Sequence, residues 1–310
     1  MNLISRWFTF VKERFEPLSH TIMIFAFASA NAAMAYAVSP FSISARPLYL
    51  FGGFMLVWLV FFHMRLFDDI KDYETDRLVN KERPLPRGVL TINEFGAGIL
   101  ICVIAEIALS AALGFKIFST YALVLAFTLI MRQEFFIGDW MRPKMELYAA
   151  THTFSASMLG LLIYSILNNA DITAIPTAYL CVALGNWFVF NVFEFGRKTF
   201  SIKEERDGVD SYSLRLSPFG AFALLSVNIF FAFLMLYLSA GKINQAAGDK
   251  IINFLPMLLS AALISFTVIC AGMVYSRKPS DFNAKFYRGA VSFYLVAYHL
   301  AITICGLIFF

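Results

Sequence analysis

An all-α integral membrane protein, with nine transmembrane helices around a central apolar cavity, is the fold class this sequence predicts. Three observations lead there. The 310-residue chain is 59% hydrophobic and 15% charged, whereas soluble domains run near 25% charged, and its mean hydropathy is +0.70. Windows of about 19 residues, the length that crosses a bilayer as a helix, find nine apolar segments. Lysine and arginine then fall almost entirely into alternate connections between those segments.

The segments lie at roughly 18–38, 47–67, 92–113, 117–135, 147–167, 172–196, 217–239, 252–275 and 289–309. Inside lipid, backbone polar groups must be satisfied within the segment, so each is expected to be helical. Of the 25 Lys and Arg residues, 21 fall in the N-terminal tail and in the connections after the second, fourth, sixth and eighth segments. The opposite end holds Arg46, Lys116, Lys242 and Lys250. A wrong segment count would scramble this alternation. The positive-inside rule then gives an integral protein of the cell (inner) membrane with a cytoplasmic N-terminus and an external C-terminus. Residues 1–310 form a single polytopic domain, with cytoplasmic motif loops at about 68–91 and 194–216. The lipid bilayer is thus the first expected partner.

The net charge of +4 does not suggest nucleic acid. Cys102, Cys181, Cys270 and Cys305 each sit in an apolar run without a CxxC pair, so they read as small packing residues and not as a zinc site or disulfide framework. Ala35-Tyr36-Ala37 imitates a signal-peptide cleavage site, but the preceding apolar stretch is long for such a leader.

The densest charge lies in FDDIKDYETDRLVNKERPLPRG, Phe67 to Gly88. If the second helix continues past Phe67, a turn of about 100° per residue brings Asp68, Asp69, Asp72 and Asp76 within about a quarter turn of one another. Arg65 shares that face, while Lys71 and Glu74 point elsewhere. Four carboxylates on one face repel unless a cation sits among them. Mg²⁺ suits them, since it takes oxygen ligands from one or two carboxylates and from substrate phosphates. The following Lys81, Arg83 and Arg87 stand beside Pro84, Pro86 and Gly88, which stop the helix and stiffen the turn. Together, ion and bases would cradle a diphosphate. The same bases also satisfy plain positive-inside topology.

This stretch resembles the first aspartate-rich signature of the UbiA superfamily of intramembrane prenyltransferases, NDxxDxxxD. It reads D-D-I-K-D-Y-E-T-D, with Asp68 where the family often has Asn, and the downstream ERPLPRG resembles the family's N-R-P-L-P-S-G. The nine segments and the position of the motif after the second also match, so the resemblance covers the whole chain. It implies a UbiA-like fold, one or two Mg²⁺ ions, an isoprenyl diphosphate donor and a hydrophobic or aromatic acceptor. The implied reaction is prenyl transfer within the membrane.

The family's second motif, DxxxD, is altered here. NVFEFGRKTFSIKEERDGVDSYS places Asn191, Glu194 and Lys198 on one helical face. Glu194 stands for the first acid, and Lys198 replaces the second with opposite charge. Direct contact of Arg197 or Lys198 with the diphosphate is one consequence, and an ordinary Glu194–Lys198 helix pair is the bland reading. Glu204, Glu205, Asp207 and Asp210 offer further carboxylates.

The site expected from sequence therefore comprises Asp68, Asp69, Asp72, Asp76 and Glu194 as catalytic, metal-holding acids. Arg65, Lys81, Arg83, Arg87, Arg132, Arg197 and Lys198 are expected on the diphosphate. Arg132 is included because related enzymes carry a basic residue near the diphosphate there. Asn31 and Asn191 are polar residues inside apolar segments, expected at the acceptor or a polar cavity, or as glue between helices. Trp140 suits an interfacial anchor. His63 is a candidate general base, with His20, His152 and His299 ranked below it. A membrane terpene cyclase, in which the cation attacks its own double bonds, stays open. A transporter fits less well, because its ionisable residues would collect near the midplane.

Overall fold

The computed structural model describes residues 2–40, 47–206, 208–247 and 252–310. Arg46, Asp207 and Lys250 lie outside the described residues. Helix α1 (Leu3–Phe10) runs into a π-helical stretch (Val11–Phe15) and then α2 (Pro17–Val38). Next come α3 (Pro47–Lys71), the short α4 (Tyr73–Val79), α5 (Ile92–Leu113) and α6 (Phe115–Arg132). A connection containing α7 (Gly138–Met141) leads to α8 (Met145–Thr153) and α9 (Ser155–Asn168), two pieces of one span. The chain ends with α10 (Thr177–Arg197), α11 (Tyr212–Ala247), α12 (Leu255–Arg277) and α13 (Asp281–Phe309).

Among the described residues, nine helical segments are long and apolar enough to cross a membrane. They coincide with the nine expected segments. The helices run past the apolar windows, as with α3 to Lys71 and α13 from Asp281, because hydropathy marks the greasy middle of a helix and not its charged ends. Local chemistry sets several boundaries. Thr91 and Glu94 form a reciprocal capping box that starts α5, and Ser280 caps α13. In α11 the backbone kinks at Ser217 (φ 66°), one residue before Pro218.

Close packing relies on small residues. Helix α2 lies against α13, and a Cβ on Gly306 would fall 2.6 Å from the Ala33 methyl, so only glycine permits that approach. Deeper in, Phe27, Phe61, Phe190 and His299 form a cluster of edge-on and stacked rings. An apolar cavity of about 810 Å³ opens between α2, α3, α9 and α13, lined by Phe25, Ala32, Tyr36, Phe54, Ile166 and Thr303 among others.

Two polar networks cross this interior. Asn31 Oδ1 accepts from Asn186 Nδ2 at 2.8 Å and Tyr179 OH at 3.0 Å, while its Nδ2 donates to the Phe27 carbonyl at 2.8 Å. His299 adjoins Asn186 at 3.3 Å. With its amide engaged on both sides, Asn31 ties α2 to α10, so the expectation that it meets an acceptor gives way to the interhelical one. Asn191 behaves similarly: it accepts from Thr153 and donates to Asn228 Oδ1 at 3.1 Å.

The second network was not legible in the sequence. His63 Nδ1 lies 2.8 Å from Glu106 Oε1, Tyr121 OH donates to Glu106 Oε2 at 2.8 Å, and His63 Nε2 lies 3.2 Å from Thr128 Oγ1. All four side chains are fully buried. His63 is therefore enclosed between α3, α5 and α6, and it is not the free base that its place before the aspartates suggested. A buried group stripped of its partner is far costlier than a well-packed apolar replacement of the whole network. Glu106→Ala should lose about 3–5 kcal/mol of stability, read as a lower melting temperature in detergent. The triple change His63→Leu, Glu106→Leu and Tyr121→Phe should lose much less.

Candidate active site

The basic ends of the spans meet in a charged mouth. Helix α3 does continue past Phe67, since the Asp72 and Asp76 amides bond to the Asp68 and Asp72 carbonyls at 2.9 and 2.8 Å. The four aspartates nevertheless divide into two kinds. Asp69 is buried and bound by two arginines, Arg14 Nη2 at 2.6 Å and Arg65 Nη2 at 2.6 Å. Asp76 is buried and bound by both Arg83 (2.6 Å) and Asn80 Nδ2 (2.8 Å). Both carboxylates are neutralised by the protein itself. This changes the expected roles of Asp69 and Arg65, which hold each other and the N-terminal tail.

Asp68 and Asp72 are different. Asp68 is 43% exposed and only loosely paired, with Lys71 Nζ at 3.3 Å. The Asp72 carboxylate makes no hydrogen bond or ion pair among the described residues. Burial raises its pKa above the ordinary aspartate value; Lys71 opposes that rise, while Asp68 and Asp76 add to it. Lys71, expected to point away, faces the mouth instead, 5.1 Å above the Tyr148 ring.

The bases are spread around these acids. Arg83 is held by Asp76, and Arg87 pairs with Glu13 at 2.7 Å. Arg132 is exposed and stacks over Phe67 at 5.0 Å. Lys81 is exposed and unpaired among the described residues. On α10, Glu194 receives Arg197 at 2.6 Å and Lys198 at 3.3 Å. That is the ordinary helix pairing, enlarged to two bases on one acid. The acids of the second loop serve the loop. Glu204 binds Arg288 at 2.6 Å, which pulls its pKa below the usual carboxylate range. Glu205 accepts from Ser211 and Ser213 at 2.7 and 2.8 Å. Asp210 is exposed.

Sequence reasoning missed one wall of the mouth, the connection from α6 to α8. Glu134, Phe135 and Phe136 all have positive φ (51°, 56° and 58°), a left-handed run that costs roughly 1–2 kcal/mol per non-glycine residue. The turn presents Glu134 to Arg142 Nη2 at 2.6 Å and to Tyr148 OH at 3.0 Å. Burial pushes the Glu134 pKa up, but the bonds from Arg142 and Tyr148 outweigh it and leave the pKa below the usual value. Tyr148 stacks on His152, with centroids 4.1 Å apart and 23° between planes. Trp140, expected as an anchor, is exposed with Lys144 Nζ 3.1 Å over its ring.

The acids present fit one Mg²⁺ ion. Asp72 is a half-buried carboxylate without a hydrogen-bond partner, and Asp68 stands one turn before it. Two carboxylates plus substrate phosphates is a usual Mg²⁺ environment. A closed protein cage is not formed, because no three His, Cys, Asp or Glu side chains converge among the described residues.

No protein-family model and no curated protein matches the sequence. Solved structures do match its fold. A UbiA homologue from Aeropyrum pernix superposes with a TM-score of 0.64 at 16% identity, covering 92% of this chain and 96% of that one. A structure of digeranylgeranylglyceryl phosphate synthase gives 0.62 at 16% identity, covering 98% and 99%. A UbiA homologue from Archaeoglobus fulgidus bound to DMAPP and Mg²⁺ gives 0.54 at 12% identity, covering 95% and 99%. The chain thus has the UbiA-like fold over its full length.

The two kinds of aspartate predict opposite mutant behaviour. Because the folded-state pKa of Asp72 is raised, the carboxyl favours folding fully below its unfolded pKa, and that contribution is lost as pH rises through the folded pKa. Asp72→Asn should therefore raise the melting temperature of metal-free protein at neutral pH. The gain should vanish in acid, where the wild-type carboxyl is protonated. Asp69→Asn should instead leave Arg14 and Arg65 without their counter-charge and cost about 3–5 kcal/mol, visible in the same melting experiment.

Proposed function

We propose that this protein transfers a prenyl group from an isoprenyl diphosphate to a hydrophobic or aromatic acceptor within the membrane, with one Mg²⁺ ion. The observation behind this is the unpartnered, half-buried Asp72 carboxylate beside Asp68, with bases around it at one end of an apolar bundle. The fold shared with a UbiA homologue that binds DMAPP and Mg²⁺ supports the same reading. The positive-inside bias favours a mouth in the cytoplasm of the cell (inner) membrane, with the C-terminus outside.

Asp68 and Asp72 would hold the ion, which when bound supplies Lewis-acid stabilisation to the leaving diphosphate. Lys81, Arg83, Arg87 and Arg132 line the approach and neutralise the phosphate oxygens. A bound diphosphate would compete with Asp76 for Arg83. Glu194 keeps Arg197 and Lys198 in place as the basic wall opposite. As the C–O bond ionises, positive charge develops on the allylic carbon. Phe61 and Phe190 lie about two turns and one turn below Asp68 and Glu194 on their helices. Their ring faces suit an allylic cation, and the apolar surroundings keep water from quenching it.

Purified protein incubated with geranyl, farnesyl or geranylgeranyl diphosphate and a phenolic acceptor should release diphosphate only with Mg²⁺. EDTA or Asp72→Ala should abolish the release. Release without an acceptor, accompanied by a volatile hydrocarbon, would replace the transferase reading with a cyclase. Lys81→Ala removes an exposed, unpaired base, so it should leave the melting temperature unchanged. It should raise the donor KM roughly tenfold, as loss of one charge-assisted contact does.

A further inference from the structure

The imidazole of His152 has a role that neither its low rank in the sequence nor the aspartate chemistry assigns. Its Nδ1 lies 2.6 Å from the Tyr148 carbonyl oxygen. A carbonyl only accepts, so Nδ1 carries the hydrogen, and in the neutral ring Nε2 carries a lone pair. Nε2 is buried and has no hydrogen-bond partner. A buried N–H without an acceptor would be costly there, which favours the bare nitrogen. Lys71, from the first motif region, lies 5.1 Å above the Tyr148 ring, and Tyr148 stacks directly on the imidazole, so His152 stands beside the first motif.

The ring is also fixed from behind. Tyr148 stacks on it, Phe135 meets it edge-on at 6.1 Å, and Tyr148 is tethered through its hydroxyl to Glu134. Glu134 is in turn clamped by Arg142. The left-handed turn at residues 134–136 thus ends in a positioned base. Strain retained next to a site in this way is a usual mark of pre-organisation.

We infer that His152 is the proton acceptor for the incoming nucleophile, and that the acceptor carries an ionisable hydroxyl such as a phenol. This rests on the transferase reading. In the step, the bond between the allylic carbon and the diphosphate oxygen breaks, and its electron pair leaves with diphosphate. The acceptor forms a new bond to that carbon through its oxygen or an activated ring carbon. The proton it sheds goes to His152 Nε2. Prenyl diphosphate and acceptor become prenylated acceptor, diphosphate and one proton.

The test compares wild type, His152→Gln and His152→Ala with geranylgeranyl diphosphate, Mg²⁺ and phenols running from 4-methoxyphenol to 4-nitrophenol. Donor binding, diphosphate release and prenylated product are measured separately. General-base catalysis is typically worth 10²–10⁴-fold. His152→Gln should therefore keep its donor KM and lose about 100-fold in kcat for transfer to the least acidic phenol. The loss should shrink toward 4-nitrophenol, which ionises near neutral pH without help. Added imidazole should restore transfer by His152→Ala, a rescue that a merely structural histidine would not show. Wild-type transfer matched by His152→Gln overturns the assignment alone. A loss equal for all phenols, with a raised donor KM and no rescue, also overturns it alone. Diphosphate release by wild type with no transfer to any phenol overturns it in favour of acceptor-free chemistry. No metal-dependent release by wild type overturns the transferase reading and this inference together.

Discussion

The pairing of Asp69 with two arginines is the contact on which the mouth depends. Five acids fall between Asp68 and Asp76, and carboxylates this crowded at an apolar boundary repel and resist desolvation. Arg65, one turn earlier on the same helix, and Arg14, from the N-terminal tail, converge on one buried carboxylate. The tail is thereby pulled across the end of the bundle. Trp7 seats against Phe95, and Gly98 leaves room for its ring; a Cβ at Gly98 would lie 2.6 Å from it. Phe10, Phe67, Leu85 and Leu90 close a small apolar core beneath.

Within that frame the charges sort by what the protein can afford to neutralise. Asp69, Asp76, Glu194 and Glu204 have arginine partners of good geometry, and each such pair fixes one element against another or stiffens a helix end. What stays unbalanced is a short diagonal from Asp72 through Asp68 and Lys71 to the Tyr148–His152 stack. Sites commonly keep such imbalance, because a fully satisfied polar group has nothing left to offer a ligand.

The number and course of the spans were legible in the sequence, because apolar length and alternating basic charge are properties of whole segments. The one-sided aspartates were legible too, since helical spacing alone sets that face. Which of them are free was not. Arg14 reaches Asp69 across 55 residues of sequence, and periodicity carries no information about such a partner. Glu106 was missed for a related reason: a lone acid in an apolar run looks like an accident until His63 and Tyr121 appear beside it. Lys71 was placed on the wrong side because a wheel gives the direction of a Cβ, whereas a lysine stem is long enough to swing its head onto Tyr148. His152 gained importance only through the turn at residues 134–136, whose left-handed backbone nothing in its composition announces.

The tail's grip on the mouth also has a consequence for biosynthesis. Arg6 and Arg14 are made before their ion partners: the partner of Arg14 follows 55 residues later and that of Arg6, Glu94, 88 residues later. At about 5–20 residues per second, Arg14 waits roughly 3–10 s for its carboxylate. Until Arg14 docks, Asp69 has only Arg65 as a counter-charge. The charged end of the bundle therefore closes only after Arg14 and Arg6 meet partners made well after them.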